Sequence, residues 1–338
     1  MKSLSKLAAL ACGTVSVGAL AQSDIRLYGV IDQSVGRFQD AGSDSRMRLE
    51  SGKLFTSFFG MGGSEDLGGG LKAVFALESF FRADTGEPGR YNSDSFFSRA
   101  ANVGLSGDFG ALRLGRQSTP TRAAAGRFDP FGGSTGFSPA IRQVFSPNAS
   151  ALRYFGDTAW NNAVGYSTNS YGGLAASVMG SFGEQSSGSF GNNIGGNVAY
   201  YSKSFSGALA FQRVKNGASG VPAGFKHQDT LELSAAYDFA ALKVFGQVGK
   251  VSTRASANTH TSIYNVGLTM PIGAGKVLAQ YGNATSHFAA ADATNKTLTV
   301  GYDYFLSKRT DVYLIGMSDR FTGKNSGTTL AAGIRHGF

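Results

Sequence analysis

Read two residues at a time, long stretches of this chain divide into an apolar and a polar face. Leu231, Leu233, Ala235, Tyr237 and Phe239 share one face, and Glu232, Ser234, Ala236 and Asp238 the other. Leu298, Val300, Tyr302, Tyr304 and Leu306 alternate with Thr297, Thr299, Gly301, Asp303 and Phe305. Leu71, Ala73, Phe75, Leu77 and Phe81 oppose Lys72, Glu78 and Arg82, and near the C-terminus Leu330, Ala332, Ile334 and Phe338 oppose Thr329, Gly333 and Arg335. Period two over eight or more residues predicts strands with one wet and one apolar face.

Tight-turn sequences punctuate these strands: Asp66-Leu-Gly-Gly-Gly70, Asp108-Phe-Gly-Ala111, Ser170-Tyr-Gly-Gly173, Phe205-Ser-Gly207, Asp238-Phe-Ala-Ala241, Ile272-Gly-Ala-Gly275 and Ser307-Lys-Arg-Thr310. From the third onward their starts lie 33 to 35 residues apart. Such an interval holds two strands of about ten residues, one tight turn and one longer loop. Two strands before the first turn, two in each of six intervals and two after the seventh predict sixteen. An all-β, antiparallel, 16-stranded transmembrane barrel with an aqueous lumen is the expected fold.

The second and third turns start 62 residues apart, and the surplus falls between Ser118 and Trp160. A loop this long is usually functional or disordered. Its Phe128, Phe131, Phe137, Ile141, Val144, Phe145 and Tyr154 are too apolar for a solvated excursion. Residues 118–160 are therefore expected to fold inward as the third long loop and narrow the barrel.

Composition sharpens the class. Gly makes up 48 of 338 residues, Pro only 7, and Phe with Tyr 39, which suits many strands joined by tight turns. Outside the N-terminal stretch no window approaches 18 apolar residues, so a helical membrane protein is excluded, whereas alternating barrel strands evade any such window. Tyr166, Tyr171, Tyr237, Phe239, Tyr302, Tyr304 and Phe338 fall near the tight-turn end, as an interfacial aromatic girdle would.

Residues 1–21 read as a cleaved signal peptide: Lys2 and Lys6, an apolar stretch to Leu20, and Ala19-Leu20-Ala21 as cleavage site. Residues 22–338 would form the barrel domain in the outer membrane, reached through the periplasm. Cys12, the one cysteine, leaves with the signal, so disulfides and thiolate metal sites are not expected. Loss of Lys2 and Lys6 takes the net charge from +9 to +7. The basic residues are scattered, which argues for a cavity that attracts anions and against nucleic acid.

Several segments resemble the trimeric Gram-negative general porins of the β-proteobacterial type: Leu27-Tyr-Gly-Val-Ile-Asp32, Gly63-Ser-Glu-Asp-Leu-Gly-Gly-Gly-Leu-Lys-Ala-Val-Phe75, Val103-Gly-Leu-Ser-Gly-Asp-Phe-Gly110, Leu114-Gly-Arg-Gln117, Leu306-Ser-Lys-Arg-Thr-Asp311 and Gly333-Ile-Arg-His-Gly-Phe338. The resemblance implies a homotrimer, an arginine cluster on the wall facing the loop, and recognition of Phe338 by the barrel assembly machinery. Arg99 matches a wall arginine of that family, although alternation from Val103 and Leu105 would point it outward. Phe58 stands where relatives carry an arginine.

A pore needs charge facing its water, not a catalytic group. Period two places Arg26, Asp32, Lys72, Glu78, Arg82, Arg113, Asp303 and Arg335 toward the lumen. The loop carries Arg122, Arg127, Arg142 and Arg153 against Asp129 and Asp157, a net of +2. Arg82, Arg99, Arg116, Arg122, Arg127, Asp129, Arg142 and Arg153 are the candidate selectivity residues, and mild anion preference is expected. The bland alternatives are strand cross-linking, trimer contacts and loop solvation. His227, His260 and His287 are placed in loops without metal spacing, and no cofactor is expected. Glu65-Asp66 reads as a turn pair, and no base–nucleophile pair supports an enzyme.

Passive diffusion of small hydrophilic solutes and ions is the leading reading, with lipid and lipopolysaccharide as surroundings. A channel dedicated to one class of anions, or a barrel serving as adhesin or receptor, are the alternatives.

Overall fold

The computed structural model describes residues 24–145, 154–155, 158–183, 193–215 and 221–338. The expected signal segment, Cys12, Arg153 and Asp157 lie outside them. The strands are β1 (Asp24–Phe38), β2 (Arg46–Ser51), β3 (Phe58–Gly68), β4 (Leu71–Phe80), β5 (Ala100–Gly107), β6 (Gly110–Ser118), β7 (Ala159–Ser167), β8 (Leu174–Ser181) and β9 (Asn193–Tyr201). They continue with β10 (Phe205–Val214), β11 (His227–Asp238), β12 (Lys243–Arg254), β13 (Thr259–Ile272), β14 (Gly275–His287), β15 (Ala293–Phe305), β16 (Thr310–Phe321) and β17 (Gly327–Gly337). Two short helices, α1 (Pro120–Arg127) and α2 (Pro139–Phe145), lie between β6 and β7.

Each strand pairs antiparallel with its neighbours, and β1 pairs with β17 from Val30↔Gly337 to Arg37↔Leu330. The other edge of β1 is shared: Gln33–Phe38 pair with β2, and Asp24–Val30 with β3. β2 and β3 are thus halves of one wall strand interrupted at residues 52–57, and the barrel has sixteen positions. Closure leaves no edge strand.

The predicted alternation is present. Along β11, Leu231 and Leu233 are exposed while Gln228, Thr230, Glu232 and Ser234 are buried. An apolar outer face and polar inner face is the arrangement a lipid-embedded wall requires. The tight turns fall where expected, except that Phe205-Ser-Gly207 begins β10 and the turn itself is residues 202–204, closed by Ser202 and Phe205.

Polarity-in does not hold everywhere. Ala208, Ala210, Ala236, Val251, Ile263, Ala284 and Ile315 are buried on the inner face. These positions meet residues 119–145. Phe128 packs on Ala208, Ala210 and Phe245; Ile141 and Val144 on Val251, Ile263 and Ala284; Phe131 and Phe137 on Leu278, Tyr313 and Ile315. Burying one such side chain stabilises by about 1.5–3 kcal/mol. Polar inner residues complete the contact: Asn197 Nδ2 donates to the Pro120 carbonyl and Gln247 Nε2 to the Ala125 carbonyl.

α1 starts at Thr119, whose hydroxyl accepts from the Arg122 N–H, with Pro120 in the first turn where no N–H is needed. The break at residues 52–57 supplies a further anchor. There the Lys53 carbonyl accepts from Ser134 Oγ (2.6 Å) and Gly136 N (3.1 Å).

Two tyrosines brace the wall on either side of β1. Tyr313 of β16 crosses Gly333 of β17 and donates to both Asp32 carboxylate oxygens at 3.1–3.2 Å. Tyr28 of β1 crosses Gly60 and Gly62 of β3 and donates to Glu78 of β4 at 2.7 Å. A Cβ on Gly333 would overlap the tyrosine ring, so glycine is required beneath it.

Candidate functional site

A cavity of about 1520 Å³ lies between the wall from β1 to β9 and the segment containing α1 and α2. Seven arginines line it, Arg26, Arg90, Arg99, Arg113, Arg116, Arg122 and Arg142, against the acids Asp24, Asp40 and Glu78.

The wall arginines come from consecutive strands. Arg113 follows the inner parity of β6, and its Nη1 donates to Asn102 Oδ1 at 3.1 Å. Arg116 has the outer parity of Leu112 and Leu114, but a bulge between Gly115 and Gln117 opposite Asn162 (φ 49°) turns it inward. Its Nε donates to the Ser98 carbonyl (2.6 Å) and its Nη1 to Asn161 Oδ1 (2.8 Å). Arg99 also faces the cavity, correcting the outward direction that alternation gives it. β5 begins only at Ala100, so Arg99 escapes the strand's parity. Its Nε lies 2.8 Å from Glu78 Oε2, and its guanidinium covers the Phe58 ring.

From the loop side, Arg122 donates to the Gly133 carbonyl at 2.7 Å and lies over Phe145. Burial pulls its pKa below the ordinary arginine value, and the like charge of Arg99 adds to this. Arg142 is buried, 2.6 Å from Asp40 and 3.8 Å from Asp319. Burial opposes ionisation of Asp40, but Arg142 outweighs it and holds the carboxyl below its usual range.

The other candidates sit elsewhere. Arg127 ends α1 and is exposed, its guanidinium 4.3 Å from the centre of the Tyr201 ring. Asp129 is buried with its carboxylate accepting from Phe131 N and Gly133 N, so it closes the 129–133 turn and does not face the cavity. That burial raises its pKa to about 6. Arg82 pairs with Glu87 at 3.1 Å beside a smaller recess. Asp32 has the inner parity but is fully covered, accepting from Leu54 N and Tyr313. Lys72 stands exposed opposite Asp66 at the tight-turn end. Asp303 and Arg335 join Lys276 and Asp311 in an inner-face charge belt. Arg26 pairs with Asp24 on the cavity rim.

Arg90 was missed by sequence reasoning. It makes a bidentate pair with Asp94 at 2.8 and 2.9 Å while stacking on Phe80 and Tyr91. Its Asp at i+4 is the only signal a sequence offers. The histidines are also corrected: His227 starts β11, and His260 and His287 are cross-strand partners on β13 and β14 with stacked rings. Among the described residues no group of three metal-ligating side chains converges.

A closed lipid-facing wall around an arginine-rich interior matches known proteins. The family model described as Gram-negative porin matches residues 7–324. The chain belongs to the Gram-negative porin family. Outer membrane porin protein 32 of Delftia acidovorans is 35% identical over 320 residues, spanning 92% of this chain and 87% of that protein. The solved structure of an anion-selective porin from Comamonas acidovorans superposes with a TM-score of 0.78 at 30% identity, covering 94% of this chain and all (100%) of that one. OmpT of Vibrio cholerae, solved in a trimer form, shares the fold at 13% identity, with a TM-score of 0.70 and coverage of 94% and 99%. This porin therefore forms an outer-membrane pore for passive diffusion of small hydrophilic solutes.

Proposed function

We propose that this porin is a homotrimeric channel that favours anions, with its narrowest part formed where residues 119–145 approach β4 to β7. The excess of arginine over acid on the cavity carries this reading. Charges of one sign in a low-dielectric frame raise the local concentration of ions of the other. Arg99 and Arg142 are offset by Glu78 and Asp40, so the preference is mild. Arg113 and Arg122 donate to neutral oxygens, and their charges add to the positive potential of the cavity.

The anion selectivity stated for the Comamonas structure supports the same sign here. Planar-bilayer recording across a salt gradient tests it: the reversal potential should follow the anion. A potential following the cation would overturn the proposal. An unheated gel sample should migrate as an oligomer, and a monomer band independent of heating would refute the trimer.

A further inference from the structure

Strand register brings two histidines together at the loop end of the wall. His260 of β13 and His287 of β14 are directly opposed, with the outward parity of Tyr264 and Tyr281. Their rings stack with centres 4.4 Å apart and an interplanar angle of 26°. His260 is exposed and His287 half-buried. His287 Nδ1 lies 2.9 Å from Asp292 Oδ2, in the loop that leaves β14. Among the described residues no hydrogen bond or ion pair engages the His260 ring.

The carboxylate beside His287 decides which ring nitrogen is available. A neutral imidazole with Nδ1 against a carboxylate keeps its proton there and presents the Nε2 lone pair, the arrangement in which histidines ligate metals. Two imidazole nitrogens on one tetrahedral ion, each about 2.0–2.1 Å from it, stand about 3.3 Å apart. Rings with centres 4.4 Å apart reach that spacing by rotation about their own side-chain bonds, with the strands left in register.

We propose that His260 and His287 form a binding site for a divalent transition-metal ion of the zinc and copper class, with water completing its coordination. Imidazole suits these ions, whereas Mg²⁺ and Ca²⁺ take oxygen ligands. Asp292 orients His287 and leaves ligation to the two rings. Long loops of such barrels face the external medium, so the ion arrives from outside the cell. Once bound it ties β13 to β14 at the ends from which loops 255–258 and 288–292 depart.

The test titrates the purified protein in detergent with Zn²⁺ alone, followed calorimetrically. Affinity should fall about tenfold or more in His260→Asn and His287→Asn, about tenfold in Asp292→Asn, and stay unchanged in His227→Asn. Cu²⁺ should bind more tightly than Zn²⁺, and its electron paramagnetic resonance spectrum should show two nitrogen ligands in the wild type and one in H260N. Zn²⁺ should also protect His260 and His287 of the wild type from diethyl pyrocarbonate, a readout that depends on no variant. Equal Zn²⁺ affinity in wild type and H260N, equal affinity of the wild type for Ca²⁺, or histidines left unprotected by Zn²⁺ would overturn the assignment.

Discussion

The Arg99 guanidinium lies 4.1 Å from the centre of the Phe58 ring, with Glu78 holding its Nε from the side. Phe58 occupies the position where the family resemblance places an arginine, so an aromatic face takes up the remaining cation. A cation over a ring gains about 0.5–2 kcal/mol depending on desolvation. Arg99→Gln should lower the anion/cation permeability ratio, since it removes a positive charge and leaves Glu78 facing the cavity. Phe58→Leu keeps both charges and should shift the reversal potential far less. Equal shifts would show that the ring, more than the carboxylate, positions the cation.

Arg122 and Arg127 are five residues apart on α1, so they leave the helix on different sides and meet different surroundings. Arg122 lines the cavity, and Arg127 stacks on Tyr201 away from it. Arg122→Glu should therefore move the zero-current potential toward the cation, while Arg127→Glu should leave it nearly unchanged. A larger effect from Arg127 would relocate the selective region toward the tight-turn end of the barrel.

Much of the wall was legible because period two is a local signal: lipid selects one parity, and turn residues interrupt it. The break at residues 52–57 was not legible. It is justified only by distant partners, Asp32 on β1 and Ser134 and Gly136 on the loop. The same holds for the site. Arg113 followed from parity, whereas Arg116 needed a bulge and Arg99 lay one residue before its strand. Asp129 looked like a loop charge opposing the arginines, but its carboxylate satisfies two backbone N–H groups of its own turn. His260 and His287 lacked metal spacing along the chain because their proximity comes from strand register.

The loop's tethers should respond to acid in opposite directions. Asp40 has its folded pKa depressed, so its stabilisation is complete above the unfolded value near 3.8 and is lost as pH falls through the depressed value. Asp129 has its pKa raised to about 6, so the folded state binds the extra proton and its contribution declines as pH rises from about 4 to above 6. Asp129→Asn should flatten the dependence of thermal stability on pH in that window. An unchanged slope would assign it to other groups. Arg142→Met, which removes the tether to Asp40, should lower stability by about 1–3 kcal/mol, less than for a fully buried pair because Asp40 is half exposed. Open-channel current noise should rise with it.

Phe338 takes part in closing the barrel. Its backbone N–H donates to the Gly29 carbonyl at 3.1 Å, and the Gly29 N–H donates back to its carbonyl at 3.2 Å. Its ring lies where a Cβ on Gly29 would stand, 2.5 Å from the ring's Cζ. Two effects of removing Phe338 can be separated. Loss of the seam bonds alone should be reproduced by Gly29→Val, which displaces the ring and strains the approach to Phe58 while keeping the terminal residue. Loss of a recognition signal should appear only on deletion of Phe338. Deletion is expected to reduce heat-sensitive oligomer in the outer membrane by more than Gly29→Val does, and to raise the periplasmic fraction. If both changes reduce assembly equally, seam closure accounts for the role of the last residue, and undiminished oligomer after deletion would remove that role altogether.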